Sequence, residues 1–225
     1  MTGIALGYER FARVVLMIFV VQIAFLVHMV LGAVLAGFFP SVAATTSTFR
    51  TWVLAEDRSW SMAQTWTVFH RAWSDDLGPA NAFGWPQLVV GLFLAWEYYV
   101  VNWNDTGITG IAVSGLLLVA GVAYGVFAAV SWVVRAHLAG TAGWIVRVSL
   151  RLVVVRPVCT VAIATLLLAT AWVWWTWPGI LMTFGLSAPI FGVVVAVHAF
   201  GRLPGMGLHR TDHLADARKD AAPSA

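Results

Sequence analysis

Apolar residues in this chain come in long runs separated by short polar breaks. Five runs are long enough for a helix to cross a hydrocarbon core, which takes roughly 20 residues. They are Val14–Phe39, Trp85–Trp103, Ile108–Val134, Pro157–Trp177 and Gly179–Gly201. The last two form one apolar stretch too long for a single crossing at about 1.5 Å per residue. Trp177-Pro178-Gly179 is a turn signal within it, so the stretch reads as a hairpin. The pattern predicts an all-α, polytopic transmembrane helical bundle of about five spans. One domain covers residues 1–204, and a short disordered, flexible tail covers 205–225.

The segments between the runs carry structure of their own. Met62, Trp66, Phe69, Trp73 and Leu77 follow one another at steps of four, three, four and four, one apolar stripe along a helix over 61–77. Ser61 with Gln64 three residues on makes a capping-box start. Arg71, Ser74 and Asp75 fall off the stripe, so this helix is expected to lie on the membrane surface or against a partner. Thr141–Val155 is a second such candidate, with Arg147 and Arg151 one turn apart.

Composition supports lipid as the solvent. The 225 residues are 60% hydrophobic and 10% charged, with mean hydropathy +0.84, whereas a soluble domain is nearer half apolar and a quarter charged. A net charge of +3 does not suggest nucleic acid, and the basic residues read as topology signals. Arg50, Arg58, Arg71, Arg135, Arg147, Arg151, Arg156, Arg202, Arg210, Arg218 and Lys219 share one side of a five-span layout, and only Arg10 and Arg13 fall on the other. That division puts the N-terminus outside and the C-terminus in the cytoplasm. Trp85, Trp103 and Trp132 mark span ends, and Trp172, Trp174, Trp175 and Trp177 crowd the outer end of the fourth, as interfacial indoles do. Arg10 and Arg13 precede an apolar stretch longer than the roughly 7–15 residues of a signal peptide, which reads as a true span. The lone Cys159 falls in an apolar run and reads as a buried, inert thiol.

No familiar catalytic signature is present, neither a P-loop nor a nucleophile elbow nor a metal-ligand motif, and no cofactor is indicated. An enzyme is the least supported class. Glu97, within the second span, is the most informative polar group, because a carboxylate in hydrocarbon costs on the order of 2.5–3.5 kcal/mol. His28 sits about 16 Å and Glu97 about 18 Å above the same boundary, counted along their helices. The two are therefore expected to meet, as a neutral hydrogen-bonded pair or as an ion pair, in a packing bond or a substrate or proton site. His198 lies roughly 12 Å from the depth of His28, too far for both to ligate one haem. In the tail, His209 and His213 are one turn apart and read as solvated. Gly32/Ala36, Gly121/Gly125 and Ala188/Gly192/Ala196 have the spacing that lets helix backbones approach closely.

The stretch FFPSVAATTSTFRTWVLAEDRSWSMAQTWTVFHRAW resembles the YesL-like family of bacterial integral membrane proteins. The shared features are a long first span with a Pro at its end (Pro40), a Thr/Ala-rich turn (Thr45–Thr48), and an acidic-polar break (Glu56–Arg58). An aromatic helix (Phe69/Trp73) follows, and later a basic stretch precedes a Pro-initiated span, from Arg147 to Pro157. Where the family often has Gly in the turn, this chain has Ala43-Ala44. Members are commonly encoded beside permeases of carbohydrate ABC importers. The resemblance implies an accessory or scaffold subunit in the bacterial plasma membrane that binds importer permeases, with Met62, Trp66, Phe69, Trp73, Leu77, Arg147 and Arg151 as possible contacts. The rival reading is an autonomous channel or carrier for a small solute that uses Glu97 and His28.

Overall fold

A computed structural model describes residues 2–104 and 107–201, and every regular element in them is helical. The predicted tail, with His209 and His213, lies outside these residues. The helices are α1 (Thr2–Leu31), α2 (Leu35–Leu54), α3 (Met62–Asp75), α4 (Leu77–Trp103), α5 (Gly107–His137), α6 (Ala142–Val155), α7 (Pro157–Thr176), α8 (Pro178–Thr183) and α9 (Ser187–Ala196). A π-helical turn, Val197–Gly201, continues α9.

Three helices are long and apolar enough to cross a membrane: Gly7–Leu31, Gly107–His137 and Pro157–Thr176. The expected span over 108–134 lies within α5, and that over 157–177 matches α7, with Pro157 as its first helical residue. There Pro places its missing N–H where no helical partner exists.

The first predicted span is not one helix. It folds back at Gly32–Val34, where Ala33 and Val34 take φ values of 53° and 64°, a region that costs non-glycine residues energy. The turn is held by Val34 N–H donating to Met29 O at 2.8 Å and Ala33 N–H to Val30 O at 2.9 Å. Close approach explains the fold-back. A Cβ on Gly37 would stand 2.5 Å from the Met29 carbonyl oxygen, and one on Gly32 would collide with Gly37. The small-residue signal at Gly32 thus serves a hairpin rather than a straight crossing.

The return helix α2 changes the reading of the next segment. Pro40 lies inside α2 and Thr45–Thr48 are helical and largely buried, so this stretch is neither a turn nor part of a loop. It packs against α1, α3, α4, α5 and α9 and is the centre of the molecule. Its sequence is too polar to read as a span, and neighbouring helices cover most of it.

The return also brings basic residues together. Arg13 and Arg58 line one cavity of about 670 Å³ with Glu9, Trp52 and Asp57, and Arg50 donates to His137 Nδ1 at 2.9 Å. Arg13 and Arg58, which the count assigns to opposite sides, thus line the same cavity. The Asp57 carboxyl is held below its ordinary range, chiefly by the Ser59 hydroxyl and amide, with a smaller contribution from the Arg13 charge.

The last predicted span is broken as well. α8 ends at Thr183 and α9 begins at Ser187. The amide of Gln22, buried in α1, enters this break: its Oε1 accepts from the Ser187 hydroxyl at 2.8 Å and from the Ser187 N–H at 3.3 Å. A polar side chain from a distant helix thereby caps α9. α9 packs back on α7 across Gly192, where a Cβ would lie 2.6 Å from Leu166. The second predicted span is the later part of α4, which starts at Leu77 and continues through Pro86.

Candidate functional site

The capping box of α3 forms as its residue types require: Ser61 N–H donates to Gln64 Oε1 at 2.8 Å, and Gln64 N–H donates to Ser61 Oγ at 3.2 Å. From that start the helix packs onto α1 and α2 with part of its stripe. Phe69 is fully buried, and Trp73 packs against the core. Met62 and Trp66 stay exposed, and Leu77 belongs to α4. The stripe is thus divided: Phe69 and Trp73 pack within the chain, and Met62, Trp66 and Leu77 remain on its surface. An apolar stripe alone cannot tell which apolar surface will cover it.

What the stripe encloses is His28. This residue is fully buried, and the rings of Trp66, Phe69, His70 and Trp73 stand 5.0–5.2 Å from its ring centre. Its Nδ1 lies 2.8 Å from Ala24 O, and its Nε2 lies 2.9 Å from His70 Nδ1. A carbonyl oxygen only accepts, so Nδ1 of His28 carries the proton. Neutral His28 then accepts at Nε2 from the Nδ1–H of His70, whose ring is exposed.

The bonds of this imidazole pair limit its chemistry. A proton crossing the 2.9 Å bond from His70 arrives at Nε2 of His28 and goes no further. Passage beyond His28 would require delivery to a backbone carbonyl, which is not a useful base. The pair is a closed end rather than a relay through the molecule. It ties α3 to α1, inside an aromatic enclosure that raises the cost of losing either bond.

Glu97 is not part of this site. His28 bonds Ala24 and His70, not Glu97, so the expected pairing is corrected. Depth counted along a straight first helix loses its meaning once that helix turns back at Gly32. Glu97 sits half-exposed on α4 between exposed Trp96 and Tyr98. Among the described residues it makes no hydrogen bond or ion pair. That part of α4 packs along α5, where Ser114 Oγ donates to Asn102 Oδ1 at 3.1 Å.

Among the polar contacts not foreseen from the sequence, three tie distant helices together at buried or half-buried positions. Asp76, at the junction of α3 and α4, takes both guanidinium nitrogens of Arg135 at 2.5 and 2.6 Å. The same guanidinium lies 5.5 Å from the Phe83 ring and 5.6 Å from the Trp132 ring, a planar cation beside a perpendicular aromatic pair. Gln22 with Ser187, and His70 with His28, are the other two. For His70 a signal existed: 66, 69, 70 and 73 share one helical face, and a second histidine was available in α1. Arg147 and Arg151 lie exposed on α6, away from this site.

A protein-family model described as "Protein of unknown function, DUF624" matches residues 18–98. This is the YesL-like family, and the match runs from the middle of α1 through His28, the Gly32 turn and α3 to Glu97. No curated protein and no solved structure matches the chain.

Proposed function

We propose that this chain is an accessory or scaffold subunit of the membrane that binds the permease subunits of a carbohydrate ABC importer. The family likeness supports the class of partner, and one structural observation supports binding as the activity. Glu97 stands on an outward, aromatic-rich face of α4, flanked by Trp96 and Tyr98, without a partner among the described residues. A carboxylate left on such a face in lipid costs on the order of 2.5–3.5 kcal/mol. A donor or cation from a neighbouring subunit removes that cost, and the surrounding aromatic residues supply contact area.

The carrier reading has less support, because His28 is enclosed, ends at a carbonyl and does not meet Glu97. In the proposed arrangement the basic ends of α1, α2 and α5 face the cytoplasm together, following the positive-inside preference. The N-terminal end of α1 then shares that side with the 55–61 loop, and the α4–α5 connection lies opposite.

Affinity purification of the tagged full chain in a mild detergent tests the proposal. Permease and ATPase subunits are expected to be recovered with it, and Glu97→Leu is expected to reduce that recovery. Recovery of the chain alone, with sugar transport when it is reconstituted into liposomes, would overturn it.

A further inference from the structure

We infer that α6 is an interfacial helix that binds the phosphates of anionic phospholipids through Arg147 and Arg151. The helix joins α5 to α7, two helices long and apolar enough to cross a membrane. It therefore lies where chain leaving one crossing enters the next. Its inner face is committed, with Ile145, Ser149 and Leu152 buried and the helix packed on α5 and α7.

The opposite face mixes charge with apolar surface. Arg147 and Arg151 are exposed one turn apart, and exposed Trp144, Leu150, Val154 and Val155 surround them. In water that face would strand four large apolar side chains. In a protein core it would bury two charges. At the lipid interface both needs are met, because the apolar side chains enter the acyl region while the arginine stems carry their charge up to the headgroups.

Charge decides what lies at those headgroups. No Asp or Glu occurs anywhere between positions 107 and 211. Among the described residues neither Arg147 nor Arg151 has a hydrogen bond or ion pair, and Asp76, the acidic group near the end of α5, is already taken by Arg135. Arg156, at the start of α7, likewise has no acidic partner and adds to the same field. The guanidinium fork matches a phosphate in two parallel hydrogen bonds, and each basic residue near an anionic surface adds to the attraction. A zwitterionic headgroup supplies the phosphate with its own cation attached and is the poorer ligand.

The test measures thermal unfolding of the detergent-solubilised full chain with added dioleoylphosphatidylglycerol, dioleoylphosphatidylcholine or inorganic phosphate. Phosphatidylglycerol is expected to raise the melting midpoint, while phosphatidylcholine and free phosphate leave it nearly unchanged. R147Q/R151Q is expected to melt like the parent chain without lipid, since both side chains are exposed, and to lose at least half of the lipid-dependent rise. R13Q keeps the full rise. An equal rise in R147Q/R151Q, or an equal rise with phosphatidylcholine, overturns the inference. So does retention of the full rise in R147Q/R151Q with loss of co-purifying protein, which would assign this face to a protein partner.

Discussion

The unit of α1, α2 and α3 and the outer part of the α4–α5 hairpin solve opposite problems with similar residues. In the first, polar groups lie inside. His28, Thr45, Thr48 and Thr65 are buried beside Val21, Phe25 and Phe69, and the outward parts of α1 are largely apolar. In the second, little is buried at all. Trp96, Tyr99, Trp103, Ile108, Ile111, Leu116 and Val119 face outward, and the two helices there rest mainly on each other. His28 finds its partner on a neighbouring helix, in His70, whereas the Thr45 and Thr48 hydroxyls are buried without a hydrogen bond and are held by packing alone. A surface of large apolar side chains is tolerable only against lipid or another subunit. The first region is therefore sensitive to side-chain size and hydrogen bonding, and the second to what surrounds it.

Glycine substitutions draw that contrast most sharply. Gly37→Val forces a side chain against the Met29 carbonyl at the hairpin turn and is expected to destabilise the chain by about 3 kcal/mol or more. Gly115→Ala, in the outer part of α5 with open space around it, is expected to be neutral or to stabilise by up to about 1 kcal/mol. Detergent melting curves of the two variants measure both.

His28→Ala comes next. It removes a fully buried ring and leaves His70 without its acceptor, at roughly 2–4 kcal/mol. A double-mutant cycle with His70→Ala is expected to show coupling, while a cycle with Glu97→Leu is expected to be additive. Coupling of His28 to Glu97 in that cycle would mean the two regions communicate after all.

Gln22→Leu strips the cap from α9 and leaves the Ser187 hydroxyl buried and unpaired, at roughly 1–3 kcal/mol. Ser187→Ala in the same background is expected to restore part of the loss, read by the same melting curves. The smallest effect belongs to Glu97→Gln in the isolated chain, within about 0.5 kcal/mol, because no internal bond is lost. A larger loss would place a partner for Glu97 inside this chain.

Orientation separates the two regions as well. In a Cys159→Ser background, single cysteines at Tyr8 and Ser59 are expected to label from one side of the membrane in intact cells, and one at Asn104 from the other. Opposite labelling of Tyr8 and Ser59 would restore the straight first span.

Much of this molecule was determined locally and could be read from the chain. Long apolar runs dictate helices, Ser61 with Gln64 starts α3, Pro157 starts α7, and Trp177-Pro178 ends it, because each rests on backbone groups within a turn of the residue responsible. The stripe of α3 was equally legible as a stripe. What covers it was not, since Phe69 and Trp73 would suit lipid, a permease or His28 equally well. The fold-back at Gly32 depends on a contact between Gly32, Gly37 and the Met29 carbonyl that exists only once two helices lie side by side. The break before α9 depends on Gln22, far away in sequence. Hydropathy measures the cost of exposing a segment to water. Whether lipid or another helix relieves that cost is a tertiary matter, and it was the tertiary structure that ended the first expected run in a turn at Gly32–Val34 and broke the last one before α9.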